Sequence, residues 1–160
     1  MYKRQVKLSD VRAVVALGWG QQEAKTKDAN IFYVKSVPHD WLFPHMAGAV
    51  HHGGAGTTAT SLRHALPTLV VPFGGDQPFW AERVYAAGCG PKAIPRDKLT
   101  AENLAEGLRA LISNPEYTRN AACIGEALRN EHGCANAADL IEKAVWDWEN
   151  GNPAQDGMNI

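Results

Sequence analysis

The strongest signal for chemistry lies in residues 52–58, which read His-Gly-Gly-Ala-Gly-Thr-Thr. Glycines let backbone N–H groups approach an anion closely, and the N-terminus of a helix adds partial positive charge. Thr57 and Thr58 can add hydroxyl donors, and His52 can donate to a phosphate oxygen. The loop lacks the Gly-Lys-Ser/Thr of a P-loop and the GxGxxG dinucleotide fingerprint. It predicts a phosphate site other than a Mg-ATP site, and a glycine turn that merely starts a helix remains the alternative.

A carboxylate and an amide stand side by side at Asp76 and Gln77. Such a pair can hold adjacent hydroxyl groups, because one side chain accepts hydrogen bonds and the other can both donate and accept. This predicts a sugar site. The alternative is that Asp76 caps the helix that begins near Pro78, and the two interpretations stay open. Gln77, in the first helical turn, is expected to have no strong capping role.

Two further segments have polar groups in suggestive positions. Pro38 biases the residue before it towards extended geometry, so the segment 36–39 can offer backbone N–H and C=O groups to the edge of a base.

The pair His51-His52 lies at the end of a predicted strand, where adjacent side chains point to opposite sides. Only one of the two can therefore reach a shared ligand. With no HExxH and no paired cysteines, the sequence predicts no metal site.

Apolar runs that alternate with helical patterns must position these residues. Four runs and a weaker fifth predict β-strands: Val11–Leu17, Ile31–Val34, Gly48–His51, Thr68–Val71 and Lys92–Ile94. Helices are predicted over 40–46, 57–65 and 78–87. Three more helices are predicted in the C-terminal third. The first is capped by Thr100, the second begins at Asn114-Pro115, and the last carries an apolar stripe of Ala138, Ile141, Val145 and Trp148. Strand–helix alternation predicts an α/β fold with a Rossmann-like parallel sheet and flanking helices. Its strand-to-helix loops would meet at one edge, where ligands bind.

Length, composition and charge exclude several classes of protein. The chain has 160 residues, 45% of them hydrophobic, with 16 Lys plus Arg against 17 Asp plus Glu. This balance excludes a polycation that binds nucleic acid, and it excludes disorder. Three widely spaced cysteines indicate reduced thiols in a cytoplasmic protein. We expect one domain over residues 1–149 and a flexible tail over 150–160.

Three motifs in order resemble a known family. Residues 36–44 read Ser-Val-Pro-His-Asp-Trp-Leu-Phe-Pro, residues 50–58 read Val-His-His-Gly-Gly-Ala-Gly-Thr-Thr, and residues 72–80 read Pro-Phe-Gly-Gly-Asp-Gln-Pro-Phe-Trp. Together they resemble the C-terminal donor-binding domain of the two-domain (GT-B) UDP-dependent glycosyltransferases, in particular the fungal sterol 3-β-glucosyltransferases and the glycopeptide-antibiotic glycosyltransferases. The resemblance runs from about Arg12 to about Lys143. It implies the C-terminal half of a GT-B fold, with the first strand of that domain missing before Met1.

The resemblance also implies roles for individual residues. UDP would be bound by a set of residues from three loops: Trp19, Ser36, Val37, His52, Gly54, Gly56 and Thr57. Asp76 and Gln77 would hold the transferred hexose. The family's catalytic base belongs to an N-terminal domain, so no catalytic residue is assigned in this chain. No metal and no cofactor are expected, and UDP-glucose would be the donor substrate.

The function implied is that of a donor-binding domain of an inverting UDP-glucose-dependent glycosyltransferase acting on a lipid or sterol hydroxyl. The alternatives are a nucleotide-sugar-binding fragment or pseudoenzyme without turnover, and a half-enzyme completed by a separate acceptor-domain chain. The expected partners are a UDP-sugar and, through the N-terminal domain, a lipid acceptor, with no nucleic acid. We expect a cytoplasmic location, with peripheral association of the full-length protein with membranes left open.

Overall fold

The computed structural model describes residues 3–17 and 29–151. The described residues form four short strands and several helices, and the C-terminal part is helical. The strands are β1 (Ala13–Ala16), β2 (Ile31–Val34), β3 (Ala49–His51) and β4 (Thr68–Val70). The helices are α1 (Lys3–Ser9), α2 (His39–Leu42), α3 (Ala55–Arg63), α4 (Gln77–Ala86), α5 (Ala101–Ser113), α6 (Pro115–Arg129) and α7 (Gly133–Glu149), with 3-10 turns at Phe43–His45 and Arg96–Lys98.

The strands form two parallel pairs. Ala13 of β1 is opposite Ile31 of β2, and Ala49 of β3 is opposite Thr68 of β4. Within the described residues no strand joins the two pairs. The prediction of a parallel α/β fold is confirmed.

The predicted fifth strand is wrong. Residues 92–94 form no strand in the structure, although Ile94 N–H donates to the Val70 carbonyl at 3.0 Å. Pro91 and Pro95 flank this segment, and proline has no N–H to extend a ladder of hydrogen bonds. Residues 92–94 therefore lie beside β4 and are joined to it by a single backbone hydrogen bond instead of a regular strand pairing. Helix α1 was not predicted, because its seven residues have no distinct apolar stripe.

Strand β4 is buried on both faces, and this burial sets the position of the loop that follows it. Leu69 is fully buried against Leu104 and Leu111 of α5. Val70 packs on the opposite side in a cluster with Ala81, Val84, Cys89 and Ala121. This two-sided packing explains why the strand reads as a continuous apolar run. The loop after β4 therefore leaves from a rigid position.

Helix α5 begins as predicted at Thr100. The Thr100 hydroxyl accepts from the Asn103 N–H at 3.1 Å, and the Asn103 side chain accepts from the Thr100 N–H at 2.9 Å. This reciprocal capping box satisfies two donors that the first helical turn would otherwise leave free.

The chain divides into two compact units, Met1–Arg129 and Asn130–Ile160. The expected boundaries, a domain over 1–149 and a tail over 150–160, stay a prediction. The second unit contains α7, whose predicted apolar stripe is exposed, with Trp148 81% accessible. In the described part of the chain, no helix has the length and apolarity needed to cross a membrane.

Candidate functional site

The glycine loop after β3 adopts a backbone conformation that only glycine accommodates easily. Gly53 has φ +91°, and a Cβ added there would lie 2.5 Å from Cγ1 of Val70. Both the positive φ and the close approach to β4 exclude a larger side chain. Gly54 then returns to extended geometry and precedes the first residue of α3. The chain thus makes a sharp turn from strand to helix directly at the end of the sheet.

The side chain of His51 stabilises this turn through hydrogen bonds. Its Nδ1 accepts from the Gly53 N–H at 3.0 Å, and its Nε2 lies 3.2 Å from the hydroxyl of buried Ser61. Because Nδ1 accepts, the neutral ring carries its proton on Nε2 and donates to Ser61. Ser61 in turn donates to the Thr58 carbonyl at 3.0 Å. The sequence predicted that only one of His51 and His52 can reach a shared ligand, and the structure places His51 in a hydrogen-bond network that shapes the loop.

This arrangement predicts that acid destabilises the fold through His51. Burial, assisted by the charges of His52 and His39, lowers the pKa of His51 from 6.5 to about 4. Between these values the unfolded chain binds more protons than the folded one, so the free energy of unfolding falls as the pH drops from about 6.5 to about 4. The loss should total roughly 3 kcal/mol.

Urea unfolding at pH 7 and pH 4.5 measures this effect. His51→Asn, which does not titrate, should lose less stability between the two pH values than the wild type does. His132→Asn, at an exposed histidine, should behave like the wild type. Equal pH dependence of the wild type and His51→Asn would contradict the assignment.

The N-terminus of α3 faces outwards without a cap. The first helical hydrogen bond runs from Thr58 N–H to the Gly54 carbonyl at 3.0 Å, and no side chain among the described residues caps the N–H groups of residues 55–57. His52 is exposed, and its ring lies against Gly54. Apart from its chain neighbours and the backbone of its own helix, a Cβ at Gly56 would meet no atom of the described residues within 4 Å. This cradle of free N–H groups and partial positive charge suits an anion.

The two threonines of the loop have different environments. Thr57 remains half-buried at the surface of the first helical turn. Thr58 is buried, and its hydroxyl has no hydrogen-bond partner among the described residues. The expectation that both hydroxyls are available to a phosphate is therefore wrong for Thr58, because the helix turns that side chain inwards.

Asp76 is not a side-chain cap of α4. Its backbone is in the right-handed helical region (φ −79°, ψ −7°), and its side chain accepts no backbone N–H of the helix. Instead, its Oδ2 accepts from the indole N–H of Trp80 at 2.9 Å. The capping alternative is thereby removed. Sequence reasoning missed the role of Trp80, although its spacing of four residues from Asp76 places both on one helix face.

Gln77 anchors its own loop. Its Oε1 accepts from the N–H groups of Phe73 at 2.7 Å and Gly74 at 3.3 Å. These bonds hold the loop that precedes α4 and do not cap an N–H group of the helix itself. Since the amide oxygen is engaged by the loop, the amide NH2 is the end of the side chain left to donate to a ligand.

The predicted base-binding segment is extended and open. Ser36 is exposed and Val37 half-buried, and within the described part of the chain neither backbone has a recorded hydrogen-bond partner. Pro38 has φ −59° and ψ 128°, and its carbonyl accepts from the N–H of Leu42 at 3.0 Å, which starts α2. The backbone of Val37 is thus free for an edge-on contact. The remaining predicted residue, Trp19, lies outside the described residues.

The structure brings two of the predicted loops close together. A Cβ at Gly53 would lie 3.3 Å from the backbone oxygen of Gln77. The predicted phosphate loop (residues 52–58) and the predicted sugar-binding pair (Asp76 and Gln77) are therefore neighbours.

Helix α2, which follows the predicted base-binding segment (residues 36–39), is linked to the C-terminal end of α3 by a 3.0 Å contact between Asp40 and His64. An open pocket of about 500 Å³ adjoins the loop of the predicted sugar-binding pair and is lined by Pro72, Phe73, Gly74, Pro78, Pro95, Arg96 and Asp97.

Metal ligands do not cluster in the described ranges. Within residues 3–17 and 29–151, no group of three or more His, Cys, Asp or Glu side chains is placed to hold a metal ion. The chemistry that the described loops offer is hydrogen bonding and the electrostatics of the α3 N-terminus.

Comparisons with known proteins agree with this geometry. Residues 5–142 match the family described as erythromycin biosynthesis protein CIII-like, C-terminal domain. The chain is 43% identical over 140 residues to sterol 3-beta-glucosyltransferase UGT80B1 of Arabidopsis thaliana, covering 86% of this chain and 23% of that protein. It is 40% identical over 139 residues to the sterol 3-beta-glucosyltransferase of Pichia angusta, covering 83% and 11%. The chain thus spans less than a quarter of the length of these relatives.

Solved structures give the same result. The glycotransferase of kitacinnamycin superposes with a TM-score of 0.79 at 26% identity, covering 89% of this chain and 38% of that one. Glycosyltransferase VinC, solved in complex with dTDP, superposes with a TM-score of 0.69 at 28% identity, covering 79% and 33%. The resemblance inferred from the three motifs is confirmed. By its family match, its parallel strands and its relatives, this chain belongs to the EryCIII-like C-terminal domains of the UDP-glycosyltransferases.

Proposed function

We propose that this chain binds UDP-glucose as the donor half of an inverting glycosyltransferase whose acceptor is a lipid or sterol hydroxyl. The observation that carries the proposal is the uncapped N-terminus of α3, which lies beside the exposed His52 and in contact with the loop of Gln77. A diphosphate needs several N–H donors and positive potential in one place, and a hexose needs a hydroxyl-binding pair next to it. The relatives that are sterol 3-beta-glucosyltransferases support the acceptor class.

Each loop has a defined part in this proposal. The backbone of Val37, together with Ser36, meets the edge of the uracil. The N–H groups at the start of α3 and the side chains of His52 and Thr57 bind the diphosphate. Asp76 accepts from one hydroxyl of the hexose, and the amide NH2 of Gln77 donates to its neighbour.

The reaction itself is a single displacement at the anomeric carbon. The acceptor oxygen forms a bond to that carbon from the face opposite UDP, while the bond to the diphosphate oxygen breaks and UDP leaves with the electron pair. The acceptor proton passes to a base in another domain, and no histidine of this chain is assigned that role. The α3 N-terminus and His52 stabilise the charge that develops on the leaving diphosphate. This binding mode requires no metal.

The wider context follows from the same proposal. A second domain supplies the acceptor pocket, and this chain alone binds the donor without sustained turnover. The full-length protein would act in the cytoplasm, at a membrane surface when its acceptor is a lipid. Sustained sugar transfer by the purified chain would contradict this division of labour.

Calorimetric titration with UDP, UDP-glucose and UDP-N-acetylglucosamine tests the proposal, with His52→Ala as the variant. A charge-assisted hydrogen bond contributes roughly 1.5–3 kcal/mol, so we expect His52→Ala to raise the Kd for UDP by about 10- to 100-fold. His132→Ala, at an exposed histidine in the second compact unit, should leave the Kd unchanged. No binding of any UDP ligand by the wild type would overturn the proposal, and an unchanged Kd in His52→Ala would remove His52 from the site.

A further inference from the structure

The carboxylate of Asp76 is held by one side chain. Asp76 is exposed and occupies the N-cap position of α4, yet it bonds no backbone N–H of that helix. Its Oδ2 accepts from the indole N–H of Trp80 at 2.9 Å, one helical turn further on. An aspartate at an N-cap normally accepts from the second or third helical N–H. Here the local backbone rotates the carboxylate away from the helix end and towards the indole.

The indole of Trp80 is partly buried and packs against a neighbouring ring. Trp80 is half-buried, and its ring lies edge-on to Phe79 with centroids 5.1 Å apart. An indole N–H is a donor only, so it fixes one oxygen of the carboxylate without competing for its acceptors. The second oxygen, Oδ1, has no recorded partner within the described residues and remains available to a hydroxyl.

We propose that Trp80 is a positioning residue for the hexose: its indole N–H orients the Asp76 carboxylate so that Oδ1 faces the sugar. This inference rests on the proposed function. An exposed aspartate samples several rotamers, and a single orientation has an entropic cost that binding must otherwise overcome. In the folded protein the indole N–H already orients the carboxylate, so this entropy is lost before the sugar binds. Gln77 shows the same device next to it, because the backbone N–H groups of Phe73 and Gly74 engage its oxygen.

The test is Trp80→Phe, which keeps an aromatic ring while it removes the N–H donor and part of the volume of the indole. We expect the Kd for UDP-glucose to rise about fivefold or more, because the Asp76 carboxylate is no longer oriented. The Kd for UDP should stay unchanged, since the effect is confined to the sugar. Trp148→Phe makes the same chemical change at a tryptophan that is 81% exposed, and it should alter neither constant.

A double-mutant cycle with Asp76→Ala, which removes the acceptor of the indole N–H, separates positioning from general packing. If Trp80 acts through Asp76, Trp80→Phe should add little further loss in the Asp76→Ala background. Additive losses, or equal losses for UDP and UDP-glucose, would show a merely structural role and overturn the inference.

The outcomes also separate this inference from the proposed function. A wild type that binds UDP-glucose while Trp80→Phe binds it equally well overturns only the role of Trp80. A wild type that binds no UDP ligand overturns both. The unchanged UDP affinity of Trp80→Phe serves as the check that the variant has folded with its phosphate loop intact.

Discussion

Gly56→Ala should melt at a higher temperature than the wild type and still lose most of its affinity for UDP. Gly56 has an ordinary helical φ, and apart from its chain neighbours and the backbone of its own helix a Cβ there would meet no atom of the described residues within 4 Å. Replacing glycine by alanine inside a helix stabilises it by roughly 0.5–1 kcal/mol. If the diphosphate lies against the N–H groups of this turn, the added methyl group occupies its place. We expect the Kd for UDP to rise by about 100-fold, measured by calorimetry beside thermal melts.

Two other glycines provide matched controls for this result. Gly133→Ala, at the first residue of α7, introduces the same methyl group at a helix start in the second compact unit. It should raise the melting temperature without changing the Kd for UDP. Gly53→Ala should instead lower stability strongly, because of φ +91° and the 2.5 Å approach to Val70. Wild-type affinity in Gly56→Ala would show that the diphosphate does not sit on the α3 N-terminus.

Asp76→Ala should separate the sugar from the nucleotide. A carboxylate that accepts from hexose hydroxyls has no counterpart in UDP, so only UDP-glucose should suffer. Hydrogen bonds to charged groups contribute roughly 1.5–3 kcal/mol each, which predicts a 10- to 100-fold rise in the Kd for UDP-glucose. Because the Asp76 side chain makes no capping bond, the melting temperature should change little. Paired calorimetry and thermal melts give both numbers.

Asp97→Ala is the control for this experiment. Asp97 is an exposed carboxylate in the 3-10 turn beside the same loop, and the proposed site does not include it. It should bind both ligands as the wild type does. Equal losses for UDP and UDP-glucose in Asp76→Ala, together with a lower melting temperature, would contradict hexose recognition by Asp76.

The regular elements could be predicted because their signals are local. The run Thr68–Val71 is apolar at every position except its first, as a strand covered on both faces requires, and the structure places β4 there. Thr100 and Pro115 mark the starts of α5 and α6 because capping and proline geometry act within a few residues. The wrong prediction of a strand over residues 92–94 also came from a local signal. A short apolar run between two prolines resembles a strand, but whether it forms one depends on backbone hydrogen bonds to another segment.

The orientation of single side chains could not be read in this way. Alternation along β3 indicated that one of His51 and His52 faces outwards, but the bond from Gly53 N–H to His51 Nδ1 depends on the turn that the glycine makes. Both interpretations of Asp76 were equally compatible with its neighbours in the sequence. The choice between them came from the backbone angles of one residue and from an indole four positions away.

The sequence by itself determined the alternation of strands and helices, the family, and the three loops that carry polar groups, because periodicity, turn residues and ordered motifs are properties of the chain. The tertiary structure decided that Gly53 packs against Val70 and Gln77, that Thr58 turns inwards while Gly56 stays open, and that Trp80 holds Asp76. These are contacts between segments or rotations about single bonds. Their energies depend on where the backbone has been placed by the packing of β4 and its helices, which no local pattern of residues specifies.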